Sequence, residues 1–252
     1  MSEGSRPEPP SWLTSHLDSG IAPLIDHTLL RPEATETEIL KLCDEALEFG
    51  FAAVCVSGQW AGTAVRRLRG STVRVAVVVG FPLGANGLVA KAAEARLALA
   101  DGADEIDMMV GLGWIKARRW DLLRDEVAAV VEAASGRLVK TIVETAALTT
   151  PEIQSAAESA LAAGARMLKT STGFHPAGGA TVETVALLRR LAGDGAGVKA
   201  SGGIRSAGMA LAMLRAGADR IGTSSAAGWG PVVFPDAPSL LELLDGSGEE
   251  SS

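Results

Sequence analysis

Three of the six lysines in this 252-residue chain lie inside apolar segments, although the sequence otherwise prefers Arg to Lys. They are Lys140 in LVKTIVE, Lys169 in MLKTST and Lys199 in GVKASGG. Their regular spacing, about one strand-helix unit each, places them on three successive strands at similar heights. Solvated strand ends would explain a single such lysine. Three in register indicate a buried cluster, because an unpartnered buried ammonium is too costly to keep.

A cluster of buried amines indicates carbonyl chemistry. A lysine with an ordinary pKa is protonated at pH 7 and cannot attack a carbonyl, whereas burial and a neighbouring ammonium both disfavour the charged form. The neutral amine forms a carbinolamine and then an iminium, which accepts electrons during carbon–carbon cleavage. Asp107, in DEIDMM on a neighbouring strand, can shuttle protons for that sequence. It can equally be an ion-pair partner of Lys140, and the two roles are compatible.

Gly-rich segments follow three of the predicted strands and favour a phosphate site. Barrels of alternating strands and helices often bind phosphate with the loops after strands 7 and 8, through backbone N–H groups and hydroxyls. Each segment alone would also suit an ordinary turn. The candidate residues are Gly173, Gly202, Gly203, Gly222, Thr223, Ser224 and Ser225.

The elements that must position these residues recur along the chain. Four segments end a helix-like run with Gly and then enter an apolar stretch, which predicts a repeated helix-to-strand joint. Helices are predicted over 36–48, 87–100, 115–133, 151–162, 182–191 and 206–215, with Thr149 or Thr150 as an N-cap before Pro151. Strands are predicted near 23–27, 52–57, 73–80, 105–110, 138–144, 166–171, 197–201 and 219–223.

Eight strands alternating with helices form either a closed barrel or an open doubly wound sheet. The evenly spaced joints, and the absence of GxGxxG after the first strand, favour an α/β fold of the (β/α)8 TIM-barrel type. The length of the chain, 252 residues, suits one such domain. We therefore predict a loose N-terminal tail over 1–15, one barrel domain over 16–245 and a loose C-terminal tail over 246–252.

Composition excludes several classes of protein. The net charge of −7, spread along the chain, argues against a general nucleic-acid or anionic-membrane binder. Cys43 and Cys55 have neither CxxC nor zinc-ligand spacing, so we expect neither a disulfide framework nor a zinc site. The sequence shows no apolar signal region and no stretch as long as a membrane span, which predicts a cytoplasmic protein.

The combined motifs resemble the bacterial deoxyribose-phosphate aldolase family. The segments that carry the resemblance run in family order from residue 24 to 225: LIDHTLLRPEAT, GFPLGAN, DGADEIDMM, VKTIVET, MLKTSTGF, VKASGGIR and RIGTSS. The resemblance implies a lyase that needs neither metal nor cofactor and reversibly cleaves 2-deoxy-D-ribose 5-phosphate to D-glyceraldehyde 3-phosphate and acetaldehyde. It further implies a homodimer and a role in the catabolism of deoxynucleosides.

The resemblance also implies roles for individual residues. Lys169 would form the Schiff base, Lys199 and Asp107 would donate and accept protons, and Lys140 would be a supporting cation. Two further residues, Asp26 in LIDHTLL and Thr170, would line the pocket. Cys55 lies where the family often has a pocket cysteine, although a small core residue explains it equally well.

Three features depart from the family pattern. The chain has no Tyr, whereas many members end in a tail whose terminal Tyr assists proton transfer; water would then serve as the relay. Gly111 stands where Asn is usual, and the loop GFHPAGGAT is slightly longer, which makes His175 either a phosphate neighbour or a solvated loop residue. These departures leave two alternatives open: another Schiff-base sugar-phosphate aldolase, or a catalytically silent barrel that binds a sugar phosphate.

Overall fold

The computed structural model describes residues 18–245, which form a closed barrel of eight parallel strands in sequential order. The prediction of a single (β/α)8 barrel is confirmed. The two predicted tails, 1–15 and 246–252, lie outside the described residues. The strands are β1 (Ile25–Leu29), β2 (Ala53–Val56), β3 (Arg74–Val79), β4 (Glu105–Met109), β5 (Leu138–Ile142), β6 (Met167–Lys169), β7 (Gly197–Ser201) and β8 (Arg220–Thr223).

Helices connect the strands and cover the outside of the barrel. They are α1 (Glu36–Phe49), α2 (Ala61–Leu68), α3 (Leu88–Ala100), α4 (Leu112–Lys116), α5 (Trp120–Ala133), α6 (Thr150–Ala162), α7 (Val182–Ala192), α8 (Ala207–Arg215) and α9 (Leu240–Asp245). The expected N-cap before Pro151 is Thr149, whose N–H donates to Glu152 at 2.8 Å. Within the described range, no helix is long and apolar enough to cross a membrane.

Two details of the sequence-based prediction were wrong. The helix expected over 115–133 is two helices, because Arg118 adopts a left-handed conformation (φ 55°) between α4 and α5. The short helices α2 and α9 were not anticipated. α2 is amphipathic, with Ala61, Ala64 and Leu68 packed inward, but its eight residues cover little more than two turns, which is too short a window to mark a helix from periodicity.

Both faces of the sheet are buried, which explains why strands such as AVCV and RVAVVV are almost continuously apolar. The large core lies between the strands and the helices. A separate, smaller apolar cluster comprises Leu30, Cys55, Ala76 and Val78, with Phe81 packed against it. Cys55 lies 3.8 Å from a carboxylate oxygen of Asp107, so this cluster faces the charged side chains inside the barrel.

A buried ion pair connects α3, which follows β3, to α5, which follows β4. Lys91 donates to Glu126 at 2.8 Å, and both side chains are almost completely buried. Glu126 also accepts the Gly111 N–H at 2.6 Å. Burial raises the pKa of Glu126 despite the attraction of Lys91. Gly111, where the chain departs from the family pattern, is thus held through its backbone N–H by Glu126. A Cβ at this position would lie 2.6 Å from the Trp114 ring.

Candidate active site

The strand register brings the predicted lysines together. Lys169 lies directly opposite Lys199 in the β6–β7 pairing. Lys140 lies opposite Asp107 on one side and Met167 on the other. Lys140 is therefore two residues lower in the barrel than Lys169, so the expectation of equal heights holds for only two of the three lysines. Its long side chain still reaches the same cluster.

Asp107 is the centre of the cluster. Its Oδ1 accepts a hydrogen bond from the Lys140 ammonium at 2.7 Å. Its Oδ2 accepts from Lys169 at 2.7 Å and from Lys199 at 2.8 Å. The lysines and the aspartate are buried, with Lys169 at 2% exposure the least so. One carboxylate thus connects all three amines, which can pass protons between them over short distances.

A second layer of charges lies below Asp107. Asp26 accepts hydrogen bonds from Lys199 and Arg220, and Lys140 lies 3.4 Å from it. Glu105 lies 2.6 Å from Lys140 and accepts from Arg220 at 3.2 Å. The sequence analysis missed Glu105 and Arg220. They are the first residues of β4 and β8, so neither interrupts an apolar run as the lysines do. The signal available for Glu105 is its place two positions from Asp107, on the same face of β4.

The carboxylates determine the protonation of this cluster. Burial favours a raised pKa for Asp107, but the three lysines outweigh it and hold that pKa well below its ordinary value. For Asp26, burial again favours a raised pKa, but Arg220, Lys199 and Lys140 outweigh it and lower that pKa. For Lys199 burial lowers the pKa, yet Asp107 and Asp26 together raise it. The same balance raises the pKa of Lys140.

The sequence argument expects a lowered pKa only for the lysine that attacks the carbonyl. The other two amines of the cluster, Lys140 and Lys199, are surrounded by buried carboxylates, which favour their charged forms.

A cavity of about 320 Å³ opens above the cluster at the carboxyl ends of the strands. Lys169 reaches its wall, whereas the Lys140 and Lys199 side chains are fully buried. All seven predicted phosphate-site residues line the cavity, together with Arg205. Two of the seven follow β7, two are the last residues of β8 and two follow β8; the seventh is Gly173. Carbonyl substrates entering here would meet the Lys169 amine first.

The loops around the cavity leave backbone donors available. Within residues 18–245, the N–H groups of Gly173, Gly203 and Ser224 donate to no other group of the chain. The Thr223 hydroxyl donates to Ile204 and accepts the Ser225 N–H at 3.0 Å, which fixes the turn after β8. Several free N–H groups facing one concave surface suit an anion such as phosphate.

Two other predicted positions do not contact the cavity. Thr170 lies behind its wall, because its hydroxyl donates to the Ser201 carbonyl and accepts the Ser201 N–H, both at 3.0 Å. It therefore ties β6 to β7. His175 accepts the Ala177 N–H within its own loop at 3.2 Å, as a loop residue would.

Two further features bear on the chemistry of the site. Burial, together with Asp107, raises the pKa of the Cys55 thiol, so Cys55 is a poor nucleophile here. Residues 18–245 contain no group of three or more His, Cys, Asp or Glu residues arranged to hold a metal ion.

Comparison with known proteins identifies the family. The model for the DeoC/LacD family of aldolases matches residues 21–229. The chain belongs to the DeoC/LacD aldolase family. It is 53% identical over 201 residues to the deoxyribose-phosphate aldolase of Streptococcus sanguinis, covering 80% of this chain and 91% of the relative. It is 50% identical over 210 residues to that of a Geobacillus species, covering 83% and 94%.

A solved structure agrees with this assignment to the DeoC/LacD aldolases. The tetrameric deoxyribose phosphate aldolase of Aeropyrum pernix superimposes with a TM-score of 0.74 at 38% identity, over 82% of this chain and 87% of that one. The sequence-based recognition is thereby confirmed, and this DeoC/LacD aldolase is an enzyme of the lyase class.

Proposed function

We propose that this aldolase reversibly cleaves 2-deoxy-D-ribose 5-phosphate to D-glyceraldehyde 3-phosphate and acetaldehyde, through a Schiff base on Lys169. The observation that carries the proposal is the contrast between Lys169 and the other two lysines. Lys169 alone of the three lines the cavity, and its ammonium has one carboxylate partner in the described chain, Asp107. Lys199 has two such partners and Lys140 three.

The charge balance of the buried cluster supports this choice. Four buried cations, the three lysines and Arg220, face three buried carboxylates, those of Asp26, Glu105 and Asp107. A further cation on Glu105, Arg74, is largely exposed to solvent. An uncompensated charge in a buried cluster is costly, so loss of one proton brings the cluster to neutrality. Lys169 has the fewest anionic partners, and its neutral amine would face the substrate.

The reaction then follows ordinary amine chemistry. The Lys169 amine adds to the C1 aldehyde of the open-chain sugar, and loss of water gives the iminium. Removal of the C3 hydroxyl proton breaks the C2–C3 bond, releases glyceraldehyde 3-phosphate and passes the electron pair to the iminium as an enamine. Protonation of C2 and hydrolysis then release acetaldehyde and restore the amine.

Asp107 and Lys199 are the groups we assign to proton transfer. Both lie within hydrogen-bond distance of each other, and Asp107 also touches the Lys169 nitrogen. Lys140 and Asp26 would keep these two groups charged and in place, since each contacts one of them. The free N–H groups of Gly173, Gly203 and Ser224, with Gly202, Gly222, Thr223 and Ser225 around them, would hold the 5-phosphate.

Reductive trapping tests the Schiff base. Treatment with acetaldehyde and borohydride should leave an ethyl group on Lys169, which peptide mass spectrometry would map. In the Lys169→Met variant, neither Lys140 nor Lys199 should carry an ethyl group. The exposed Lys41 and Lys116 serve as internal controls for random alkylation. A specific adduct on Lys199 or Lys140 would contradict the assignment, and no adduct in folded protein would favour a silent sugar-phosphate-binding barrel.

Substrate trials test the rest of the proposal. We expect cleavage of deoxyribose 5-phosphate and none of fructose 1,6-bisphosphate; the reverse pattern would indicate a different Schiff-base aldolase. The homodimer and the cytoplasmic location stay predictions from the sequence, and light scattering of the purified protein would measure the former.

A further inference from the structure

Glu144, just after β5, has an unusual backbone conformation for its residue type. Its φ of 59° and ψ of 58° lie in the left-handed region, and its side chain is buried. Non-glycine residues in this conformation cost free energy and persist only where surrounding contacts enforce it, often beside functional sites. Nothing in the proposed mechanism uses Glu144, so its contacts need another explanation.

Those contacts all go to one residue of the loop that follows β6. Both carboxylate oxygens of Glu144 accept the Thr172 N–H, at 3.2 and 3.3 Å, and one also accepts the Thr172 hydroxyl. The same hydroxyl oxygen accepts the Phe174 N–H at 3.0 Å. In the described chain Glu144 has no cationic partner. The Glu144 carboxylate therefore binds the backbone N–H before Gly173 directly, and the one after Gly173 through the Thr172 hydroxyl.

This arrangement determines which N–H the loop presents. The amides of Thr172 and Phe174 are both occupied, whereas that of Gly173, between them, is free at the cavity wall. On its other side the loop packs on the turn after β7, where a Cβ on Gly173 would lie 3.5 Å from the Gly202 Cα. Ser201 adds a hydrogen bond to the Ser171 carbonyl at 2.6 Å.

We infer that Glu144 is a positioning residue for phosphate: it fixes the 171–174 loop so that the Gly173 N–H meets the substrate's phosphate. This inference rests on the proposed function. Glu144 itself does not line the cavity, which keeps its carboxylate away from the anion that the loop would bind. Its effect should therefore appear only for substrates that carry a phosphate.

The test compares two substrates in two variants. Glu144→Gly removes the carboxylate but tolerates the left-handed backbone. Thr172→Val removes the hydroxyl that connects Glu144 to Phe174. For both, the KM for deoxyribose 5-phosphate should rise about 10- to 100-fold, because small misplacement of a binding group is expensive. The kcat/KM for unphosphorylated 2-deoxyribose, and trapping of acetaldehyde on Lys169, should stay unchanged. Thr172→Ser should restore the wild-type KM.

Ser135→Gly is the matched control. Ser135 is also left-handed (φ 48°) but lies before β5, at the opposite end of the same strand. It should leave both substrates unaffected. An unchanged KM for the phosphorylated substrate in folded Glu144→Gly would overturn the inference, as would equal losses for both substrates in the two variants. Wild-type protein that cleaves neither substrate would instead contradict the proposed function.

Discussion

Lys169 and Lys199 lie opposite each other on neighbouring strands and donate to the same oxygen, Oδ2 of Asp107, at 2.7 and 2.8 Å. Two amines on one acceptor are competitors as well as neighbours. When Lys169 is neutral, Lys199 keeps the full attraction of that oxygen and of Asp26. The relationship assigns different tasks to two lysines that the sequence alone presents as equivalent.

Loss of Lys199 should therefore impair proton transfer more than Schiff-base formation on Lys169. For Lys199→Met we expect kcat for deoxyribose 5-phosphate cleavage to fall about 10²- to 10⁴-fold, the usual contribution of a positioned acid or base. The ethyl adduct on Lys169 should still form at high acetaldehyde concentration. Steady-state kinetics and adduct mapping measure both. An unchanged kcat would remove Lys199 from the mechanism.

Two arginines that share one carboxylate oxygen should differ greatly in their effect on stability. Arg74 and Arg220 lie 3.0 and 3.2 Å from Oε1 of Glu105, but their side chains are 58% and 10% exposed. Arg220→Met removes the buried cation that pairs with both Asp26 and Glu105, and should lower the free energy of unfolding by about 3–5 kcal/mol. Arg74→Met should cost at most about 1 kcal/mol. Urea unfolding of the two variants measures both losses of stability. Equal losses would show that burial of the arginine does not determine its contribution.

Acid should destabilise the protein through the central carboxylates. The pKa values of Asp26 and Asp107 are lowered in the folded protein, so each contributes stability that is complete above its unfolded pKa of about 3.9. Below that pH only the unfolded chain binds the proton, and stability falls by about 1.4 kcal/mol per pH unit for each group. Asp26→Asn should make the decline of the unfolding free energy below pH 4 less steep. An identical slope would indicate that Asp26 does not titrate in this window.

The loop after β3 should tolerate no side chain at Gly84. Gly84 and Gly70 both have positive φ, 66° and 82°. A Cβ on Gly84 would lie 1.9 Å from the Val110 carbonyl oxygen, whereas nothing lies within 4 Å at Gly70. Gly70→Ala should cost about 1–2 kcal/mol from the backbone alone, and Gly84→Ala clearly more. Thermal unfolding of the two variants measures the difference, and similar melting temperatures would mean that the loop moves away at little cost.

Local patterns were sufficient for much of the fold. Continuous apolar runs of four or five residues mark strands buried on both faces, and Gly after a helical run marks the joint between helix and strand. These signals depend on neighbours in the chain, so the sequence carries them directly. They fail at Arg118, where one left-handed residue divides a helix, and at α2, which is only eight residues long.

The sequence by itself also determined which residues could do amine chemistry, since Lys140, Lys169 and Lys199 interrupt apolar strands. Only the tertiary structure decided which charges meet. Arg220 and Asp26 are 194 residues apart, and they pair because β8 closes the barrel against β1. That closure brings Asp26 and Glu105 among the lysines, where the buried carboxylates raise the pKa values of Lys140 and Lys199. A pKa depends on every charge within a few ångströms, and distance along the chain does not specify those neighbours.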